Sequence, residues 1–121
     1  MHLIDELEQR AKLETSLFRA QMLREDIVRL RRLDGLARSV SDPEACRKAA
    51  RRLGWTTLDA RTAELAEPLD RLVDAVLQAA AVGGGDANET SIREAWLELT
   101  RLRMERMVGC LSTRLPEPSD E

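Results

Sequence analysis

Residues 54–82 read GWTTLDARTAELAEPLDRLVDAVLQAAAV, and the fold depends on how this stretch is phased. Leu58, Thr62, Leu65, Leu69, Leu72, Val76 and Ala79 follow one another in alternating steps of four and three. That spacing lays a stripe along one side of a helix, and Val73 and Leu77 widen it. Thr56, with Asp59 three residues later, makes a capping-box-like start. Pro68 has no N–H for the residue four back, which predicts either a kink or a new helix. The apolar phase runs through Pro68 unbroken, so we expect one kinked helix ending at Gly83-Gly84-Gly85.

A second phasing competes over the opening turns. Ala49-Ala50-x-x-Leu53-Gly54-Trp55-Thr56 resembles the first helix and turn of a helix-turn-helix, with the resemblance extending from Ala45 to Leu65. It implies a DNA-binding regulator in which Ala60 and Ala63 face the core. Thr57, Leu58, Arg61 and Thr62 would then face DNA. Burying a Leu is worth about 1.5–3 kcal/mol over leaving it in water, more than burying an Ala. The stripe phasing buries Leu58 and Leu65, whereas the DNA-binding phasing exposes Leu58. Major-groove readers also present several polar side chains where this stretch offers one basic residue. The stripe is the preferred reading and DNA binding the alternative.

Upstream, Leu3 to Arg38 contains no Pro and only Gly35, near its end, which predicts one long first helix. Its stripe drifts. Ile4, Leu7, Ala11, Phe18 and Met22 gather on one side, and Ala20, Leu23, Ile27 and Leu30 nearly opposite, with Leu13 and Leu17 between. A straight helix with two faces needs two neighbours, and a second copy of the chain is the simplest. Ser41-Asp42-Pro43 is a helix start, with Asp42 as cap and Pro43 in the first turn. A short helix to Leu53 buries Ala45, Cys46, Ala49, Ala50 and Leu53 and turns Arg47, Lys48, Arg51 and Arg52 outward. Downstream, Ser91-x-x-Glu94 is a capping box that opens a last helix from Ile92 to about Arg114. The triple glycine lacks the spacing and the Lys of a phosphate-binding loop and reads as a turn.

Composition narrows the function. Phe18, Trp55 and Trp96 are the only aromatics, too few for a base-stacking surface. Two cysteines, Cys46 and Cys110, and one histidine, His2, exclude the usual zinc ligand sets. The preferred reading of the two cysteines is two small buried thiols in a reducing cytosol, with a Cys46–Cys110 disulfide as the alternative. No signal-peptide pattern opens the chain and no apolar run reaches membrane-spanning length, so a cytoplasmic protein is expected. Asn88-Glu89-Thr90 matches a glycosylation sequon, without meaning there. The formal charge of −3 is unevenly spread: residues 19–61 carry eleven Arg/Lys against six Asp/Glu, and residues 62–121 six against twelve. Arg in place of Lys points to a GC-rich bacterial source.

Together these observations predict an all-α, up-and-down helical bundle of three long helices plus one short helix, dimeric, in a single domain over residues 1–115. Pro-Glu-Pro-Ser-Asp-Glu, 116–121, is expected to be a disordered acidic tail. No cofactor is implied, and no nucleophile–base pair or Glu-x-x-His motif stands out. The expected function is non-catalytic: an adaptor, chaperone or regulatory protein that binds itself and another protein through an apolar helix face. The candidate interface is Ile4, Leu7, Phe18 and Met22 on the first helix with Leu97, Met104, Val108 and Leu111 on the last. Arg47, Lys48, Arg51 and Arg52 are its candidate electrostatic rim. A second alternative is a helical enzyme that holds a small anion with Glu14, Arg103 and Arg106, using the bidentate arginine fork.

Overall fold

The computed structural model describes the backbone of residues 1–53 and 63–114 and the side chains of residues 1–53 and 65–106. The described residues form five helices and no strand: α1 (His2–Leu13), α2 (Leu17–Ser39), α3 (Pro43–Arg51), α4 (Ala63–Val82) and α5 (Asp86–Arg114). Expected Leu58 and Ala60 lie outside the described residues, as do the side chain of Ala63 and the tail 116–121.

The long first helix is corrected to two. Glu14 is extended (φ −73°, ψ 127°), and Ser16 caps α2 by accepting the Arg19 N–H at 3.4 Å. The Glu14 carboxylate accepts the Ser16 N–H at 3.1 Å, so side chains satisfy donors that a continuous helix would satisfy with carbonyls. The break also accounts for the drifting stripe. Once the chain folds back, Leu3, Ile4, Leu7 and Ala11 of α1 and Ala20, Ile27, Leu30 and Leu33 of α2 are all buried within one chain. No second copy is needed to cover these eight residues, although Phe18 of the first stripe stays exposed.

α3 begins where Ser-Asp-Pro predicts, with the Asp42 side chain accepting the Glu44 N–H at 3.1 Å. Only Cys46 and Ala50 are buried in it; Ala45 is exposed, and Ala49 and Leu53 are half-buried. α4 runs through Pro68 without interruption and buries Leu65, Leu69, Leu72, Val73 and Val76. The stripe therefore holds on both sides of the proline. α5 starts six residues before the expected Ile92, directly after Gly85. Gly83, Gly84 and Gly85 take φ of +83°, +91° and +131°, a conformation L side chains rarely adopt, and reverse the chain within three residues. Ser91 does not cap; its hydroxyl donates to the Ala87 carbonyl at 3.2 Å inside the helix.

α4 lies along α5 and also packs on α2 and α3, while α1 packs on α2 and, at its start, on α5. α1 has no side-chain cap of its own. Glu89 of α5 supplies one across the fold, its carboxylate accepting the Leu3 N–H at 2.9 Å. Arg93 of α5 then meets Glu6 at 2.8 Å, one turn further along both helices. One core results, with Leu30, Leu33, Leu69, Leu72 and Leu99 fully buried.

The break at residues 14–16 has a direct test. Thr15→Pro follows an extended Glu14, which suits the residue before proline. We expect its urea midpoint to change by no more than about 1 kcal/mol equivalent, whereas proline inside a helix costs about 3 kcal/mol or more. Leu72→Ala should cost about 2–5 kcal/mol in the same assay, because its side chain is fully buried between α4 and its neighbours.

Candidate interaction site

Asp26 is the only buried charged residue among the described residues, 1% exposed in the middle of α2. Its position follows from the helix period, since Asp26, Leu30 and Leu33 share one face. Its carboxylate bridges two helices. Trp96 of α5 donates its indole N–H to Oδ2 at 3.0 Å, and the Arg103 guanidinium grips both oxygens at 3.2 and 2.7 Å. Arg29, one turn along α2, adds a bond to Oδ1 at 3.0 Å. Four donors from three side chains satisfy a group whose isolated burial would be prohibitive. Bidentate geometry suits Arg here and would not be reproduced by Lys.

Above this cluster lies an open groove of about 430 Å³, lined by Leu13 and Glu14 of the α1–α2 turn, Arg19, Met22 and Leu23 of α2, and Trp96, Thr100 and Met104 of α5. Asp26 and Trp96 lie on its inner side. Leu13, which lines it, is 80% exposed, and Leu17 and Phe18, just after the turn, are 87% and 52% exposed. These three are the consequence of the helix break: they close α1 and open α2 where no other helix covers them.

The sequence-derived candidates divide sharply. Ile4 and Leu7 are buried in the chain's own core, because the hairpin folds their stripe inward, so they are not part of an open face. Met22 and Met104 come together at the groove; Phe18, one turn before Met22 on α2, is 52% exposed, and Leu97 is 46% exposed on α5. The side chains of Val108, Leu111 and Cys110 lie outside the described residues. Leu13, Leu17 and Asp26 were not among the candidates. Leu13 and Leu17 were detectable as the residues that fitted neither stripe, and Asp26 as a carboxylate in phase with Leu30 and Leu33.

The polar candidates are largely engaged. Arg103 is held by Asp26, and Glu14 accepts the Ser16 N–H, so an anion-binding trio with Arg106 does not assemble around free groups. Arg106 also has a partner. In α3, Arg47 bonds Asp74 of α4 at 2.6 Å and Arg51 bonds Asp70 at 2.9 Å, stitching the two helices together. The hydrogen bond to Asp74 and its negative charge, with smaller help from Glu44 and Asp70, hold the Arg47 guanidinium more firmly protonated than usual. The expected rim of Arg47, Lys48, Arg51 and Arg52 is therefore half consumed, and Lys48 and Arg52 remain exposed. Beneath it the Cys46 thiol is unpaired and fully buried. Burial pushes its pKa up, and the nearby Arg47 charge only partly offsets this.

Among the described residues no helix is long and apolar enough to cross a membrane. Comparison of the chain with protein-family models, with curated proteins and with solved structures finds no match.

Two outcomes follow. Asp26→Ala should lower unfolding free energy by about 3–5 kcal/mol, since it leaves the Arg103 charge with the Thr100 hydroxyl in place of a carboxylate and the Trp96 N–H without its acceptor. Adding Arg103→Met should recover part of the loss, and Trp96 fluorescence should report both changes. The Cys46 thiol holds its proton more tightly when folded than when unfolded. Its contribution is thus intact below the ordinary thiol pKa of 9.0 and falls as pH rises above it. Cys46→Ala should flatten that alkaline decline in urea midpoints.

Proposed function

We propose that this protein is a non-catalytic interaction module that self-associates as a homodimer through the α1–α2 turn and the adjoining groove. We read its four longer helices as an up-and-down bundle, with short connections favouring antiparallel neighbours. The observation that carries the proposal is the exposed ridge of Leu13, Leu17 and Phe18 beside a groove floored by apolar and aromatic side chains.

A ridge next to a matching groove is self-complementary. A two-fold axis between them seats the ridge of one copy in the groove of the other, and the reverse, which is the commonest closed assembly. Covering Leu13, Leu17 and Phe18 gains about 1.5–3 kcal/mol for each side chain taken fully from water, twice over in a symmetric dimer. Met22 and Met104 suit such a surface because their unbranched side chains adapt to what they meet. Glu14, Arg10 and Arg19 line the groove with both signs of charge. A two-fold axis allows a carboxylate of one copy to meet a guanidinium of the other. In this reading the dimer is the platform from which an adaptor or regulatory protein engages another protein.

The engagement of Arg103 by Asp26 favours this reading over an anion-binding enzyme. The pairing of Arg47 and Arg51 with Asp74 and Asp70 likewise weighs against DNA contacts from α3. Light scattering should give twice the chain mass for the natural sequence. Leu17→Glu and Phe18→Glu, each at an exposed position, should give the single-chain mass with an unchanged circular dichroism spectrum. A single-chain mass for the natural protein at micromolar concentration would end the proposal.

A further inference from the structure

Most arginines among the described residues are spent internally, and the exceptions are concentrated on α2. Among the described residues, arginines pair with carboxylates on their own helix, such as Arg38 with Asp34, or across helices, such as Arg31 with Glu8 and Arg71 with Glu98. Four arginines, Arg19, Arg24, Arg32 and Arg52, have no side-chain partner among them. Arg24 and Arg32 flank Val28 at four-residue steps, so the three lie in a row on one face of α2. They span roughly 12 Å at 1.5 Å per residue. Val28 is 48% exposed, large for an aliphatic side chain set between two free cations.

The row borders a second groove of about 430 Å³, lined by Gln21, Arg24, Glu25, Val28, Arg29, Arg32 and Leu53. Leu53, just beyond α3, is half-buried and closes its far side; Arg52, also unpaired, precedes it in the chain. This groove does not contain the side chains assigned above to self-association, and the inference does not rest on the dimer.

We infer that this groove binds an acidic amphipathic helix of a partner protein. The matching ligand carries an apolar side chain that covers Val28 and Leu53, with a carboxylate about one turn to either side for Arg24 and Arg32. Charge complementarity selects the sign, and the apolar centre selects a peptide over a nucleic acid. A phosphate backbone makes no use of Val28 and Leu53. Laying an apolar helix face into a groove between helices is a recurring mode of peptide recognition. Arg suits the carboxylates because its fork bonds both oxygens at once. Arg29 does not contribute a free charge, since Asp26 and Glu25 already hold it; its role is to fix the wall.

The test uses the full chain and a fluorescein-labelled synthetic helical peptide of about 18 residues, long enough to hold helix. The peptide bears Glu, Leu and Glu at four-residue steps on one face. Fluorescence anisotropy at low salt should show saturable binding that weakens as salt rises. Arg24→Glu/Arg32→Glu, at exposed positions, should lose about tenfold or more in affinity, and the same peptide with Lys in place of both Glu should bind that variant better than the natural protein. Val28→Asp should weaken the Glu peptide while light scattering and circular dichroism remain unchanged. Absence of binding, or equal binding to the natural and charge-reversed proteins, overturns the inference. A duplex DNA of similar length that binds more tightly than the peptide, and loses more on charge reversal, also overturns it.

Discussion

The bond set around Asp26 is the constraint on which the rest of the structure depends. It joins residues 70 and 77 positions apart in the chain, Asp26 with Trp96 and Asp26 with Arg103. A buried carboxylate is a costly group, and only a complete set of donors makes its position tolerable. Trp96 cannot satisfy its N–H elsewhere in the core without turning its ring, and Arg103 cannot leave without taking two of the four bonds that hold Asp26. α2 and α5 are therefore fixed in register as well as in contact. That register places Met22 opposite Met104 across one groove. Through Arg29, it also ties the same carboxylate to the wall of the second.

The second determinant is the reversal at Glu14-Thr15-Ser16. An unbroken helix would have put two apolar faces on one rod and required an outside partner to cover them. The reversal turns most of both faces inward and leaves Leu13, Leu17 and Phe18 uncovered around the turn. Surface for association remains, but at the turn rather than along α1. The cationic surface moves in the same way. Arg47 and Arg51 of the α3 basic run are drawn into pairs with Asp74 and Asp70 of α4, and Arg24 and Arg32 of α2 stand among the exposed charges with Lys48 and Arg52.

Much of this was legible in the residues. The helical class, the Asp42-Pro43 start of α3, the α4 stripe through Pro68 and the glycine turn all rest on local chemistry that a sequence displays. The break before α2 was missed because Glu, Thr and Ser are tolerated in helices, and only the stripe drift and a capping Ser16 marked it. The start of α5 was missed because Ser91-x-x-Glu94 has the form of a cap. The true start is set by three glycines with positive φ, and a helix begun there carries Ser91 in its second turn. Glu89 capping α1, and Arg47 and Arg51 pairing with α4, depend on helices meeting in space, which spacing along the chain does not encode.

The central claim is that the α1–α2 turn is a contact surface between two copies. Hydrogen exchange followed by mass spectrometry across a range of protein concentrations addresses it most directly. In a single chain the amides of residues 13–18 lie in the last residue of α1, an exposed turn and the first turn of α2, where exchange is fast. The account predicts that their protection rises with concentration, together with that of the α5 segment around Thr100 and Met104, while the α4–α5 glycine turn stays unchanged. Protection at residues 13–18 that is independent of concentration, while the protein sediments as a dimer, would place the interface elsewhere and contradict it.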